Sequence, residues 1–202
     1  MFNIAPNLLD RDFHAPVPNQ KWAGDISYIW TREGWLYLAV ILDLHSRRII
    51  GWAVSDRMKR DLAIRALRMA IALRAPPRGC IFPQRSRQPV LFAFAIGLEP
   101  MAPSMAHYQK ILREHGFQAS MRGKGNCYDN AAVETFFKTI KAELIWRRTW
   151  ETRRQAETAF GHSFGPMAVM PSLHYINGYY NPRRRQSALR WKSPLAFERQ
   201  VA

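Results

Sequence analysis

The sequence predicts an α/β domain, a five-stranded mixed sheet flanked by helices. Three observations lead there. Three strand-like runs follow one another on tight turns between residues 21 and 54, an amphipathic helix comes next, and helical and extended patterns then alternate to about residue 160. A chain of 202 residues can bury one good core, and 48% hydrophobic content with seven Trp marks a globular protein rather than a disordered one.

Residues 1–20 carry Pro and Asn with little periodicity and read as an extended lead-in. Residues 21–30 alternate and are rich in Trp, Ile and Tyr, which suits a strand; Thr31-Arg-Glu-Gly34 is a turn signal. Trp35 to Asp43 is a nearly continuous apolar run, as a central strand shows. His45-Ser-Arg-Arg48 turns the chain into a third strand, Ile49–Val54, completing an antiparallel meander. From about Lys59 to Leu73 the residues Leu62, Ile64, Ala66, Leu67, Met69, Ala70 and Ile71 form the buried stripe of a helix, which Pro76-Pro-Arg-Gly79 stops. Cys80-Ile-Phe82 begins a fourth strand. Residues 83–106 show neither period and read as an irregular insert. A short helix follows over Tyr108–His115, ended by Gly116, then a fifth strand over Phe117–Met121. A helix covers about Asn130–Trp146, and another begins near Trp150 and loses its pattern at Gly161. That pattern resumes over Tyr175–Tyr180 before Asn181-Pro-Arg-Arg-Arg185 opens a basic tail. The expected organisation is therefore a lead-in over 1–20, a core over 21–160 with an insert at about 83–106, and an interrupted helix with a basic tail over 161–202.

Thirty Lys and Arg against fifteen Asp and Glu give a net charge of +15, which points to a polyanionic partner, most simply nucleic acid. A ribosomal or membrane-surface protein would share that charge. Cys80 and Cys127 have no metal-ligand spacing and read as structural thiols of a reducing cytosol. The amino terminus lacks the basic and apolar regions of a secretory signal, and no apolar run is long enough to span a bilayer.

Two carboxylates carry the chemistry. Asp25 sits mid-strand between Trp22 and Ile26, where alternation should place apolar core. A buried, unpaired carboxylate is costly, so it must bind a cation, cap a backbone group or face a cleft. Alone, it reads most simply as an Asp at a strand bulge or edge. Glu134 lies one position from an apolar helix face formed by Val133, Phe137, Ile140 and Leu144, with Lys138 and Lys141 on its own side. Those lysines suit contact with a phosphate backbone, although a solvated Glu with an i,i+4 Lys partner is common.

Context sharpens both. Trp22-Ala-Gly-Asp-Ile-Ser-Tyr-Ile29, Leu42-Asp-Leu-His-Ser-Arg-Arg-Ile-Ile-Gly-Trp52 and Gly125-Asn-Cys-Tyr-Asp-Asn-Ala-Ala-Val-Glu-Thr-Phe-Phe137 occur in that order. Together they resemble the integrase-core transposases of bacterial insertion sequences, specifically the second-reading-frame protein of the copy-and-paste type, related to retroviral integrases. The resemblance extends to Tyr175-Ile-Asn-Gly-Tyr-Tyr-Asn-Pro-Arg-Arg-Arg185, Ser187-Ala-Leu189 and Ser193-Pro-Leu-Ala-Phe-Glu198, with Gln186 in place of the usual His. It implies a ribonuclease-H-like fold with an Asp–Asp–Glu triad holding two Mg²⁺ or Mn²⁺ ions, which clamp an in-line displacement at a phosphodiester. Carried over by position, Asp25 is the first catalytic and metal-binding acid and Glu134 the last. Lys138, Lys141, Arg183, Arg184 and Arg185 are the expected contacts to DNA phosphate. The implied partners are the DNA of the element's ends and its target, a further copy of the chain in an active complex, and a separate recognition protein from the upstream reading frame. No membrane is involved, and the implied location is the nucleoid of a bacterial cytoplasm.

The middle acid is missing. Where the family reads Phe-His-Ser-Asp-Arg-Gly-Ser-Gln-Tyr, this chain reads Phe82-Pro-Gln-Arg-Ser-Arg-Gln-Pro-Val90. Codons can be chosen so that one DNA stretch encodes both strings in adjacent frames, which suggests a frameshift with the lost Asp codon straddling Arg85 and Ser86. The 48 residues between Arg85 and Glu134 exceed the family spacing, and Leu91–Ala106 fills the excess. A second foreign stretch, Gly161–Leu173, repeats similar Gly-, Pro- and Met-rich text. Glu99 lies in irregular sequence and is rejected as a substitute; Asp43 is assigned a structural role with Arg47 and Arg48; Asp129 reads as an N-cap. The chain also begins shortly before Asn7, without the helical DNA-reading segment expected upstream. The expectation is a transposase core with impaired catalysis. A catalytically silent basic DNA-binding remnant and a ribonuclease-H-like nuclease are the alternatives.

Overall fold

A computed structural model describes residues 14–58, 60–85, 103–122, 131–161 and 174–200. Strands β1 (Trp22–Thr31), β2 (Gly34–Asp43) and β3 (Ile49–Ser55) form the expected antiparallel meander in the order β1-β2-β3. The apolar run of β2 is continuous because both its faces are covered. Leu36, Leu38, Val40 and Leu42 feed one core, and Ala39 and Ile41 feed the other.

Helix α1 (Arg60–Arg74) covers the second face, packing Leu62, Ile64, Ala66, Leu67 and Ala70 against Ala39, Ile41 and Ile50. Its approach to β3 requires Gly51, where a Cβ would lie 2.2 Å from the carbonyl oxygen of Ala66. Helix α2 (Pro103–Glu114) adds Ile111 and Leu112 to the same core. It starts five residues before the expected Tyr108, so part of the stretch read as irregular is helical, with Pro103 at a position where a missing N–H costs nothing.

Strands β4 (Ile81–Arg85) and β5 (Gln118–Arg122) pair in parallel. They meet the meander at a single parallel bridge between Lys21 and Ile81, where the Ile81 N–H donates to the Gln20 carbonyl at 2.8 Å. The expected continuous five-stranded sheet is therefore two sheets among the described residues, a three-stranded antiparallel one and a two-stranded parallel one, joined at that bridge.

The opposite face of the meander is covered by α3 (Ala131–Glu143) and α4 (Arg153–Gly161). Val133, Phe136, Phe137 and Ile140 of α3 and Ala156 and Phe160 of α4 pack against Val40, Leu38 and Trp52. The helix expected to reach Trp146 stops at Glu143 and tightens into a 3₁₀ turn over Ile145–Arg147. Residues Tyr175–Tyr180 form a π-helical turn whose Tyr175, Ile176 and Tyr180 join this core. A short helix α5 (Pro194–Glu198) follows, capped by the Ser193 hydroxyl, which accepts from the Ala196 N–H at 3.3 Å.

Residues 174–200 are stapled to the sheet. The side chain of Asn181 bonds both backbone groups of Ile49. Glu198 accepts from Arg48 at 2.8 Å and pairs with Arg74. Arg74 in turn lies 3.9 Å from Asp43. Asp43 is wholly buried and accepts backbone N–H bonds from Asn19 at 2.7 Å and His45 at 2.9 Å. Its role is structural, as expected, but its cation is Arg74 rather than Arg47 or Arg48. Arg48 is drawn instead to Glu198, and Arg47 occupies a left-handed turn position at φ 57°.

Candidate catalytic site

Strand register decides which way Asp25 points. Asp25 sits opposite Val40 in the β1–β2 ladder, and directly opposed residues share a sheet face. Val40 belongs to the core built by α3, so Asp25 is directed to the face on which α3 lies. Its neighbour Ile26 pairs with Ala39 and packs in the other core. Asp25 is half-buried, and its Oδ1 accepts the N–H of Ile26 at 2.9 Å.

Gly24 explains why the strand can sit so close to its neighbours here. A Cβ at that position would meet Ile41 Cδ1 at 2.7 Å and the ring of Phe82 at 3.3 Å. The glycine before the acid thus lets β4 approach the segment of β1 that carries Asp25.

Glu134 sits in the first turn of α3, exposed, between Val133 and the buried pair Phe136 and Phe137. A carboxylate in that turn also suits the helix dipole. Lys138 is exposed one turn further on. Lys141 reaches the β1–β2 hairpin, where its Nζ lies 5.3 Å from the ring centre of Tyr28. Along their own elements, Asp25 and Glu134 each lie roughly 10 Å back from that contact, at about 3.3 Å per strand residue and about 1.5 Å per helix residue.

The end of β4 carries Gln84-Arg85, with Arg85 in register with Arg122, where the resemblance calls for the middle acid. Ser86, Glu99, Asp129 and the stretches 86–102 and 162–173 lie outside the described residues. Among the described residues no group of three or more His, Cys, Asp or Glu converges as a metal site. Asp25 and Glu134 are the two acids the resemblance names here, one fewer than the three that hold a pair of ions.

The tail arginines separate. Arg183 and Arg185 are exposed, whereas Arg184 donates to Glu143 at 2.8 Å. Burial works against the Arg184 charge, but Glu143 outweighs it and raises the guanidinium pKa. Glu143 also accepts from the Tyr175 hydroxyl at 2.6 Å, which ties α3 to the π-helical turn.

One feature escaped the reading of the sequence. Tyr28, Trp30 and Trp35 at the hairpin and Trp146 in the 3₁₀ turn are exposed, beside a cleft of about 500 Å³. Strand alternation treats such residues as core. The available signal was their position, flanking the Thr31–Gly34 turn, beyond the reach of the covering helices.

Comparison with known proteins identifies the family and the fold. The family model described as "Integrase core domain" matches residues 15–127, more than half of the chain. The chain is 41% identical over 198 residues to "Transposase InsF for insertion sequence IS3A" of Escherichia coli (strain K12), covering 96% of this chain and 59% of that protein. It is 39% identical over 196 residues to "Transposase for insertion sequence element IS904" of Lactococcus lactis subsp. lactis (strain IL1403), covering 96% of this chain and 67% of that protein. The chain thus spans about three-fifths of the length of the Escherichia coli relative. Among solved structures, the HTLV-2 integrase catalytic core domain in complex with magnesium (trimeric form) superposes with a TM-score of 0.57 at 13% identity, covering 92% of this chain and 99% of that one. The catalytic core domain of BIV integrase superposes with a TM-score of 0.51 at 10% identity, over 90% and 95% of the two chains. The fold is that of retroviral integrase cores, ribonuclease-H-like.

Proposed function

This chain belongs to the integrase core domain family, and on that premise we propose that it is the catalytic core of an insertion-sequence transposase that cuts and joins DNA at the element's ends. The observation that carries this reading is the disposition of the first and last acids: Asp25 is directed to the sheet face that α3 covers, and Glu134 opens α3.

In this reading Asp25 and Glu134 hold Mg²⁺ or Mn²⁺, which when bound polarises a phosphodiester and activates water or a DNA 3′-hydroxyl. The hydrogen bond from the Ile26 N–H holds the Asp25 carboxylate in place. Lys138, Arg183 and Arg185 present exposed cations to DNA phosphates. The partners are the element's ends, target DNA, a recognition protein from the upstream frame and further copies of this chain, all at the bacterial nucleoid.

Because Gln84-Arg85 ends β4 where the middle acid belongs, the two-ion site is reduced and strand transfer is impaired. The same observation favours a second reading, a DNA-binding protein without catalysis. A magnesium-dependent strand-transfer assay on insertion-sequence ends tests both. Weak transfer that disappears in Asp25→Asn and rises when an acid is restored by Arg85→Asp or Ser86→Asp supports an impaired transposase. Transfer that survives Asp25→Asn sinks the metal-carboxylate reading. DNA binding without any transfer, before or after restoration, favours the silent protein.

A further inference from the structure

The cleft beside the hairpin is built for a ligand with flat faces and negative charge. Trp146 is 73% exposed, Trp30 59%, Tyr28 56% and Trp35 43%. Exposed aromatic rings clustered in one concavity mark a binding surface. The three hairpin rings pack against one another. Trp30 and Trp35 are directly opposed across the β1–β2 ladder and meet edge to face, with centroids 4.8 Å apart. Tyr28 meets Trp35 in the same manner at 5.1 Å. Arg32, Lys141 and Arg148 line the cleft, Arg32 paired with Glu151 at 3.0 Å, and no carboxylate is part of the lining among the described residues. Its volume of about 500 Å³ falls within the range of roughly 300–1,000 Å³ typical of small-ligand sites.

We propose that this cleft binds unpaired nucleotides of a DNA strand, their bases stacking on Trp30, Tyr28 and Trp146 and their phosphates meeting Lys141 and Arg148. Every base has a π-face, so aromatic platforms flanked by cations take single strands without regard to sequence. A duplex cannot use them, because its base faces are already stacked within the helix. A second copy of this chain is a poor occupant, since it brings the same cations and a net charge of +15. The inference deepens the transposase reading and rests on it for the strand's origin: a strand at Asp25 and Glu134 that follows α3 past Lys138 arrives at Lys141 and the cleft.

The test is the affinity of the 202-residue chain for a labelled single-stranded oligonucleotide and for a duplex of equal length, at one fixed salt concentration and in EDTA. The single strand should bind more tightly. Trp146→Ala and Trp30→Ala should each weaken single-strand binding by about tenfold or more, with duplex binding changed by less than about twofold. Trp30→Phe, which keeps a π-face, should hold most of the affinity. Trp146 is exposed enough that its loss leaves the fold intact, which circular dichroism checks. Equal binding of the two DNA forms overturns the proposal, as does unaltered single-strand binding by folded Trp146→Ala. So do variants that change only the oligomeric state in light scattering, since the cleft is then a self-interface. Binding is read in EDTA and transfer separately in Mg²⁺, so absence of the single-strand preference alongside magnesium-dependent transfer defeats this inference alone. Retained preference without metal-dependent transfer defeats only the catalytic reading.

Discussion

Asn181 extends the ladder of β3 with a side chain: its amide donates to the Ile49 carbonyl and accepts from the Ile49 N–H, each at 2.9 Å. Both groups are buried, so the pair stands in for a strand neighbour where β3 begins. Asn181→Ala orphans the donor and acceptor of Ile49 together. It should lower unfolding free energy by about 2–4 kcal/mol, measured by urea denaturation. Asn181→Asp, which accepts but cannot donate, should be destabilising as well.

Gly51 gives a second stability prediction. A methyl group there meets the Ala66 carbonyl oxygen and Ala70, both fixed parts of α1. Gly51→Ala should therefore push α1 off the sheet and cost on the order of 1–3 kcal/mol, read as a lower midpoint in thermal unfolding. A variant as stable as the parent would show that α1 slides freely on β3.

The three tail arginines should behave differently. Arg183→Ala and Arg185→Ala should each reduce the slope of log binding constant against log salt by about 1 while leaving stability unchanged. Arg184→Ala breaks the pair with Glu143 and should cost about 1 kcal/mol of stability. Salt-titrated DNA binding alongside denaturation separates the two outcomes.

Asp43 supplies a pH dependence. Burial raises its pKa above 3.8, although the N–H groups of Asn19 and His45 and the charge of Arg74 oppose the shift. In the window between the ordinary carboxylate value and the raised one, the folded protein holds more protons than the unfolded chain. Stability from this group is therefore full at acid pH and declines as pH rises through that window. The stability of the parent minus that of Asp43→Asn should fall over the same range in denaturation series at stepped pH. A difference that rises instead would mean that Arg74 and the backbone donors outweigh burial.

Periodicity was a good guide wherever one element packs on one face. The meander, α1, α3 and the parallel pair all appear where alternation or an apolar stripe marks them, within a few residues. Asp25 and Glu134 were named from the resemblance of their motifs, since alone the first reads as an acid at a strand bulge or edge and the second as a solvated helix residue. Long-range partners were not legible. Nothing local to Asp43 points to Arg74, and nothing local to Arg48 points to Glu198, 150 positions away. Choice among cations is settled by tertiary packing, and a sequence offers only the nearest candidates. The π-helical turn over Tyr175–Tyr180 was hidden for a related reason: its aromatic spacing suits an ordinary helix, and its widening depends on the surfaces it meets. The exposure of the hairpin aromatics was not legible, because alternation reports faces and does not report where the covering helices end.

The union of Glu198 with Arg48 and Arg74 carries a consequence for biosynthesis. Their shared counter-ion follows Arg48 by 150 positions and Arg74 by 124. Until α5 has been made, the growing polypeptide holds Arg48 and Arg74 near Asp43 without Glu198. A product broken off shortly before Ser193 should thus be cleared quickly by proteases, because two partly buried arginines are left without their carboxylate.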